Sequence, residues 1–490
     1  MDLCTPLTMM SFMLDHAIAP ASALLCRIHN LLLHAISAIF LFFIGGKFRF
    51  SSKTAFVIAL LWAINPQKTE SVCWISERKD VLCGTFFFIA FYAFLLSVTQ
   101  IKRRYFYSVV TAVFSTGAIL SKPLALPFIG ITLVFVIMKW RRKHPFFDYI
   151  KILAIPFICN LIAIIYSFWI TFKTNPGAIN FNFSILFHNI FWYPLTAIFP
   201  LLPLTPCAIY PRADLFGTEL YLIFGLGIFC IFLLTYLFKK YHISPIYFSV
   251  AILIILGLMF PVSGLLDYTN YTHCDRYNYL VSAAVLISLF LLFKHIVRYE
   301  SIHNRKFSKQ KFCKISSFFL IALILFSLLK TEIYIPKWKN AESLFQHILL
   351  QTSKYKMCPP NMQVLEHSIA IWKNAEYKSQ NHQLAIILRD KFPYEIWDYY
   401  NYIPGQPAKA SILALRIRLS DHQSPNALYD FETLTTGLQN HQYALFPTLV
   451  DTYLEDGAII YEKKGDDEKA LQFRNALKHY HELNQKSKLK

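Results

Sequence analysis

Six charged side chains crowd the stretch NPQKTESVCWISERKD at 65–80: Lys68, Glu70, Glu77, Arg78, Lys79 and Asp80. Apolar sequence flanks it on both sides. Carboxylates beside cations at a membrane face suit work on a phosphorylated substrate. The carboxylate takes a proton, and the cations neutralise a leaving phosphate. The same residues equally suit a solvated loop of helix caps and weak surface ion pairs. A second polar set is Arg27, Asn30, His34 and Ser37. Its steps of three, four and three put it on one helix face. Polar groups in an apolar span line a cavity or bond to a neighbouring helix. A third set, Asp267, Asp275 and Arg276, lies in LLDYTNYTHCDRYNYL, where adjacent Asp275 and Arg276 either join a site or set a turn. Lys122-Pro123 divides two apolar runs, and this lysine either binds phosphate or snorkels to the interface. The 10 Cys form no CxxC pair and no metal-ligand spacing is visible, so no cofactor is evident, and the need for a divalent metal stays open. Cys73, Cys83, Cys274 and Cys358 fall in segments placed on the outer face.

The elements that position these groups follow from composition. Of 490 residues, 55% are hydrophobic and 16% charged. A soluble globule of this size has too little polar surface to cover such a chain, so a soluble domain, a disordered chain and a secreted disulfide scaffold are all excluded. Apolar runs suited to spans occur at about 27–46, 51–64, 81–99, 105–121, 124–140, 150–172, 216–238, 244–262, 278–297 and 312–330, the second being short. The fold class is therefore all-α: a multi-pass transmembrane bundle of about ten spans, followed by a helical soluble tail. Residues 174–215 contain six prolines and read as a broken or re-entrant segment.

The net charge of +19 is an orientation signal and not a nucleic-acid footprint. Residues 331–490 hold 19 Lys+Arg and 18 Asp+Glu, leaving 29 and 11 for the membrane half. Alternate loops are basic: Lys47, Arg49 and Lys53; Lys102, Arg103 and Arg104; Lys139 to Lys151; Lys239 and Lys240; Lys294 to Lys314. Placing these in the cytoplasm satisfies the positive-inside rule at every turn. It puts the 65–80 loop, residues 1–23 and the tail outside. Residues 1–23 carry no signal-peptide pattern, so a transmembrane helix is expected to precede them. The expected divisions are an outer-face segment at 1–23, a membrane domain at 24–330 and an outer helical domain at 331–490. Within the last, LVDTYLEDGAIIYEKKGDDEKALQFRNALKHY has the form of one tetratricopeptide unit, with Tyr461, Gly465, Ala470 and Ala476 at its small and aromatic positions. Residues 355–440 show no clear 34-residue period. A generic helical bundle is the alternative; either surface would bind a partner protein.

Several strings together carry a family likeness. The run Pro66, Glu70, Ser71, Val72, Trp74, Glu77, Arg78, Lys79, Asp80, Val81 and Leu82 matches the pattern His-Pro-x-His-x-Glu-Ser-Val-x-Trp-x-x-Glu-Arg-Lys-Asp-Val-Leu. Asn30-Leu-Leu-Leu-His34, Ser121-Lys122-Pro123, Asp275-Arg276-Tyr277-x-Tyr279-Leu280 and Trp338 through Phe345 fit the same family in order. The chain resembles polytopic GT-C-type glycosyltransferases with tetratricopeptide repeats, relatives of the protein O-mannosyltransferases (TMTC-like), with the bacterial branch looking closest. The resemblance implies a polyprenyl-phosphate sugar donor, a protein or glycan acceptor, and a bacterial inner-membrane protein with a periplasmic tail. Its main acidic pair follows the first helix, which is the piece expected to be missing here, so a truncated and inactive form of such an enzyme is one reading of the chain. Asn65, Lys68, Thr5 and Arg27 stand where the family has His, His, Arg and His. Asn, Thr and a permanently charged Arg do not shuttle a proton near neutrality as His does. The residues implied for chemistry are Glu70 or Asp80 as the carboxylate. Arg78, Lys79, Lys122 and Arg276 would hold phosphate, and Arg27, Asn30, His34 and Asp275 would line the pocket; Glu70 or Asp80 is expected in one outer-facing cavity with Arg78, Lys122 or Arg276. A non-catalytic membrane scaffold and a lipid or solute transporter are the other readings; nucleic acid is not expected as a partner.

Overall fold

A computed structural model describes residues 5–140, 146–174, 183–199, 207–208, 210, 218–263, 273–303, 308–352, 387, 413–414, 417–418, 422–423, 425–440 and 449–488. Among these there is no β-strand. The chain forms two compact units, Met1–Trp338 and Lys339–Lys490.

The first unit opens with α1 (Pro6–Ile18), whose proline sits where a helix loses no hydrogen bond. Ser22 caps α2 (Ala23–Lys47) by accepting from the Leu25 amide, and Ser51 caps α3 (Ser52–Ala63) by accepting from Thr54. The 65–80 stretch is not a plain loop. It folds into the short α4 (Lys68–Cys73) and a 3-10 turn at Ile75–Glu77, and then runs directly into α5 (Arg78–Thr99). There follow α6 (Arg104–Ser121), α7 (Phe128–Trp140), α8 (Phe146–Thr174), α9 (Phe183–Ile198), α10 (Thr218–Lys240), α11 (Pro245–Met259), α12 (Asn278–His303) and α13 (Lys309–Tyr334). Lys122-Pro123 separates α6 from a 3-10 turn because proline supplies no amide to continue the helix.

Seven helical stretches among the described residues are long and apolar enough to cross a membrane: Ala23–Lys47, Ile75–Thr99, Tyr149–Ile170, Tyr221–Lys240, Pro245–Val262, Asp275–His303 and Lys314–Trp338. Ser52–Ala63, Pro123–Met138 and Ile185–Ile198 are apolar but shorter. The expected span at 105–121 corresponds to α6, which is not among the seven because serine and threonine dilute its apolarity. Its polar groups turn inward instead: Ser115 and Thr116 both donate to Asn160 Oδ1 of α8, at 2.9 and 3.0 Å. Helix α5 is the central element, with 72% of its span buried; α10 and α13 are only 11% buried and present apolar faces outward. Helix α5 packs on α2 and α6, α6 packs on α8, and α12 packs on α9 and α11. In the proline-rich 174–215 stretch only α9, with Pro194 inside it, and a few later residues are described. The remainder of that stretch lies outside the described residues.

In the second unit the described helices are α14 (Ala341–Thr352), α15 (Pro425–Gln439), α16 (Val450–Lys464) and α17 (Asp467–Lys488). Gly465 has φ +81°, and the amide of Asp466 reaches back to the carbonyl of Tyr461 at 2.9 Å, a glycine-ended helix cap that folds α17 back on α16. Phe431, Tyr453, Tyr461 and Phe473 pack as one aromatic cluster. Ala470 is buried, whereas Ala476 is exposed and so does not serve as a small packing residue.

Candidate functional site

The charged stretch 65–80 is buried. Lys68, Glu70, Glu77, Arg78 and Asp80 are each 2% exposed or less. This removes the solvated-loop alternative: α4 tucks between α2 and the Asp275–Tyr277 turn, so its polar side chains must be satisfied by protein groups. They are satisfied in three adjoining networks.

The first network joins Glu70, Glu77 and Asp80 to Arg276, Lys79 and Lys122. The Arg276 guanidinium pairs with one oxygen of Glu70, and the Arg276 amide donates to the other at 2.8 Å. Arg276 Nε also lies 3.5 Å from Glu77 Oε1. Lys79 Nζ is 3.1 Å from that same oxygen, and Lys122 Nζ is 3.6 Å from Glu77 Oε2. Lys122 in turn pairs with Asp80. The rings of Trp74 and Tyr277 cover Arg276, with centroids 5.3 and 5.1 Å from its guanidinium carbon. Burial pushes the Glu70 carboxyl up, to about 7, against the pull of Arg276. Burial works to lower Lys122, but Asp80 and Glu77 outweigh it and hold the ammonium above the ordinary lysine value. Lys79 is the cluster's solvent edge, with 26% of its side chain exposed.

Within this cluster the carboxylates differ. Both oxygens of Glu70 are occupied by Arg276. Asp80 Oδ2 is buried with no hydrogen-bond partner. Glu77 Oε2 is likewise buried without a hydrogen bond, so Asp80 and Glu77 each keep an open oxygen, whereas Glu70 is the anchor of Arg276. Glu77, which bridges three cations, is not among the residues that the sequence implied for chemistry. The signal was its spacing of three from Asp80, which places both on one helical face when the 3-10 turn continues into α5.

The second network surrounds Asp275. Gln67 Nε2 and the Tyr210 hydroxyl donate to its Oδ1 at 3.3 and 3.0 Å. Asn278 Nδ2 donates to Gln67 Oε1 at 2.7 Å and to the carbonyl of Tyr193 at 3.0 Å. Asp275 and Arg276, adjacent in sequence, thus serve different partners, and neither is spent on the turn. Lys68 donates to the Asn278 carbonyl at 2.8 Å and to Ser282 Oγ at 2.6 Å. Burial lowers its pKa to about 7. A lysine with a folded-state pKa below its unfolded value of 10.5 binds fewer protons when folded. Stability therefore rises with pH between about 7 and 10.5 and is lost as pH falls through that window. Lys68→Met is expected to flatten this dependence, read from thermal unfolding of the detergent-solubilised chain between about pH 6 and 9; an unchanged slope would show that Lys68 is charged when folded.

The third network takes Arg78 away from the others. Its guanidinium pairs with Asp15, while Nε donates to Asn30 Oδ1 and Nη2 to the Cys26 carbonyl, both at 2.9 Å. Nη1 reaches the Ser11 carbonyl at 3.3 Å, and Phe12 stacks on the group. Asn30 Nδ2 returns to the carbonyls of Val72 and Trp74 at 3.3 and 3.4 Å. Arg78 and Asn30 therefore clasp α1, α2 and the 65–80 stretch together. Arg27 donates to the Trp338 carbonyl at 3.1 Å.

His34 is fully engaged, with Nε2 3.1 Å from the Ala63 carbonyl and Nδ1 2.8 Å from the Tyr279 hydroxyl. A carbonyl only accepts, so Nε2 carries the proton and Nδ1 accepts from Tyr279. Ser37 bonds Thr85 Oγ1 at 2.9 Å. His34 and Ser37 thus connect helices. Gly84 lets α5 approach Tyr279, since a Cβ there would lie 2.2 Å from the tyrosine ring. Gly84→Ala is expected to destabilise by about 1–3 kcal/mol through displacement of Tyr279, and thermal unfolding would measure it. Asp267 lies outside the described residues. Among the described residues no group of three or more His, Cys, Asp or Glu is placed to hold a metal ion.

Seven span-length apolar helices among the described residues describe a multi-pass membrane protein that holds a buried charged cluster, and the chain is similar to proteins named as O-mannosyl-transferases. The chain is 29% identical over 148 residues to the protein O-mannosyl-transferase TMTC1 of Mus musculus, covering 28% of this chain and 16% of that protein. It is 27% identical over 148 residues to the protein O-mannosyl-transferase TMTC1 of Homo sapiens, covering 28% and 17%. With the protein O-mannosyl-transferase F38B6.6 of Caenorhabditis elegans it shares 23% identity over 367 residues, 73% of this chain and 49% of the relative. The chain thus spans half or less of the length of these curated relatives. No protein-family model matches it, and no solved structure matches it.

Proposed function

We propose that the chain is a membrane glycosyltransferase that moves a sugar from a polyprenyl-phosphate donor to a hydroxyl group of a protein or glycan acceptor at the face bearing the 65–80 stretch. The observation that carries this reading is the convergence of Glu70, Glu77, Asp80, Lys79, Lys122 and Arg276 from three separate segments into one cluster. Asp80 Oδ2 takes the acceptor proton as the acceptor oxygen bonds to the anomeric carbon. The bond from that carbon to the donor phosphate breaks, and its electron pair leaves with the polyprenyl phosphate. Lys79, Lys122 and Arg276 offset the charge of the departing phosphate. Glu70 positions Arg276, and Arg78 fixes the frame; neither touches the reacting atoms in this scheme.

The assay reconstitutes the full chain in liposomes with a polyprenyl-phosphate mannose donor and follows sugar transfer to acceptor polypeptides. Asp80→Asn is expected to lower transfer by about 100-fold or more, the usual scale of a lost acid–base group, with little change in donor retention. One observation favours a second reading, a non-catalytic scaffold. The cations of the cluster already face carboxylates, as they would if their task were to hold three segments together. No transfer by the wild-type chain, together with an Asp80→Asn variant that loses only stability, would select the scaffold.

A further inference from the structure

About 25 Å along α2 from Asn30, estimated from 1.5 Å per residue, the structure holds a cavity of about 310 Å³ that the transfer chemistry does not use. Phe42, Phe43, Phe50 and Tyr92 supply its apolar wall, and Lys47 and Ser52 stand on its polar side. Phe43 is 42% exposed, so the apolar side opens outward along the span. Lys47 lies over the Tyr92 ring with its ammonium 5.6 Å from the centroid. Arg49 follows in the loop and Lys53 in the first turn of α3, and Lys53 is exposed. Lys294 of α12 fixes this loop by donating to the Arg49 carbonyl at 2.6 Å, and it sits 5.4 Å from the centre of the Phe50 ring. No acidic residue occurs between Asp15 and Glu70, so the loop and both flanking helices set no negative charge against these cations.

A span ends at Lys47, so the cavity lies at headgroup depth, with hydrocarbon on one side and water on the other. An aromatic wall open to hydrocarbon and a cationic, hydroxyl-bearing rim match the two ends of a phospholipid. We infer that this cavity binds one anionic phospholipid of the leaflet on the basic-loop side. Its phosphate meets Lys47 and Ser52, and its upper acyl chain lies along Phe43 and Tyr92. A zwitterionic lipid offers the same chain but no net charge to the Lys47, Arg49 and Lys53 rim.

Native mass spectrometry of the full chain in non-ionic detergent tests this, with phosphatidylglycerol and phosphatidylcholine titrated separately. Phosphatidylglycerol is expected to be retained about fivefold better, the scale of one basic contact at a membrane surface. Lys47→Gln should bring the two lipids to parity, and Lys102→Gln, in a different basic loop, should leave the preference intact. The exposed Lys47 side chain makes no ion pair among the described residues that its loss would break. Equal retention of the two lipids, or equal loss of preference in both variants, would overturn the inference. Full competition by glycerol 3-phosphate would overturn it too, since it would assign the cavity to a free phosphate.

Discussion

Arg78→Ala is expected to destabilise the membrane unit by about 3–5 kcal/mol, the cost of breaking a buried pair from one side. The substitution takes the guanidinium from Asp15, which is 3% exposed, leaves it His29 at 2.5 Å as a partner, and removes donors from Asn30 and from the carbonyls of Ser11 and Cys26. The clasp between α1, α2 and the 65–80 stretch then opens. Two measurements check this: thermal unfolding in detergent, and the rate of limited proteolysis near α1. Adding Asp15→Asn to Arg78→Ala should recover part of the loss, because the buried carboxylate left facing His29 is then neutral. A variant as stable as the parent would mean that the clasp contributes nothing. If sugar transfer is restored together with stability in the double variant, Arg78 acts through the frame and not on phosphate.

The second large effect is expected at Glu70. Glu70→Gln keeps the shape but removes the charge that holds Arg276, a residue 4% exposed and surrounded by Trp74 and Tyr277. Leaving that guanidinium without its carboxylate should also cost about 3–5 kcal/mol. Arg276 is then expected to turn further towards Glu77, already 3.5 Å from its Nε, which pulls Glu77 away from Lys79 and Lys122. Sugar transfer is therefore expected to fall in Glu70→Gln through misplacement of the cations, with a rise in KM for the lipid donor as well as a fall in kcat. The contrast with Asp80→Asn is the useful one. A proton acceptor lost in place lowers kcat with KM little changed. Equal kinetic profiles for the two variants would remove the division of labour argued from Asp80 Oδ2.

The helical membrane architecture was legible in the sequence because it depends on composition and charge order, which need no partner. Apolar runs of span length and alternating basic loops are local quantities. The three short apolar helices and α6 were less legible. Their length and serine content fall near the limit of a span, and only neighbours such as Asn160 show where the polar face goes. In the candidate site, the residue types of 65–80 pointed to charge chemistry, and Glu70, Asp80, Lys122 and Arg276 do meet. Two features stayed hidden. Glu77 bridges three cations only because a 3-10 turn aims it inward. Arg78, one residue on, faces the other way to Asp15 because helical neighbours diverge by about 100°.

Residue order alone makes this chain a helical membrane protein with one stretch dense in charge, because hydrophobic length and net charge are sums over residues. Which charges pair is set by the folded packing. Arg78, Arg276 and Lys122 are interchangeable on a charge count, yet each selects a different carboxylate: Asp15, Glu70 and Asp80. That choice follows from burial. Away from water each charge needs a partner at contact distance, and contact distances between residues 42 to 206 positions apart are set by helix packing alone.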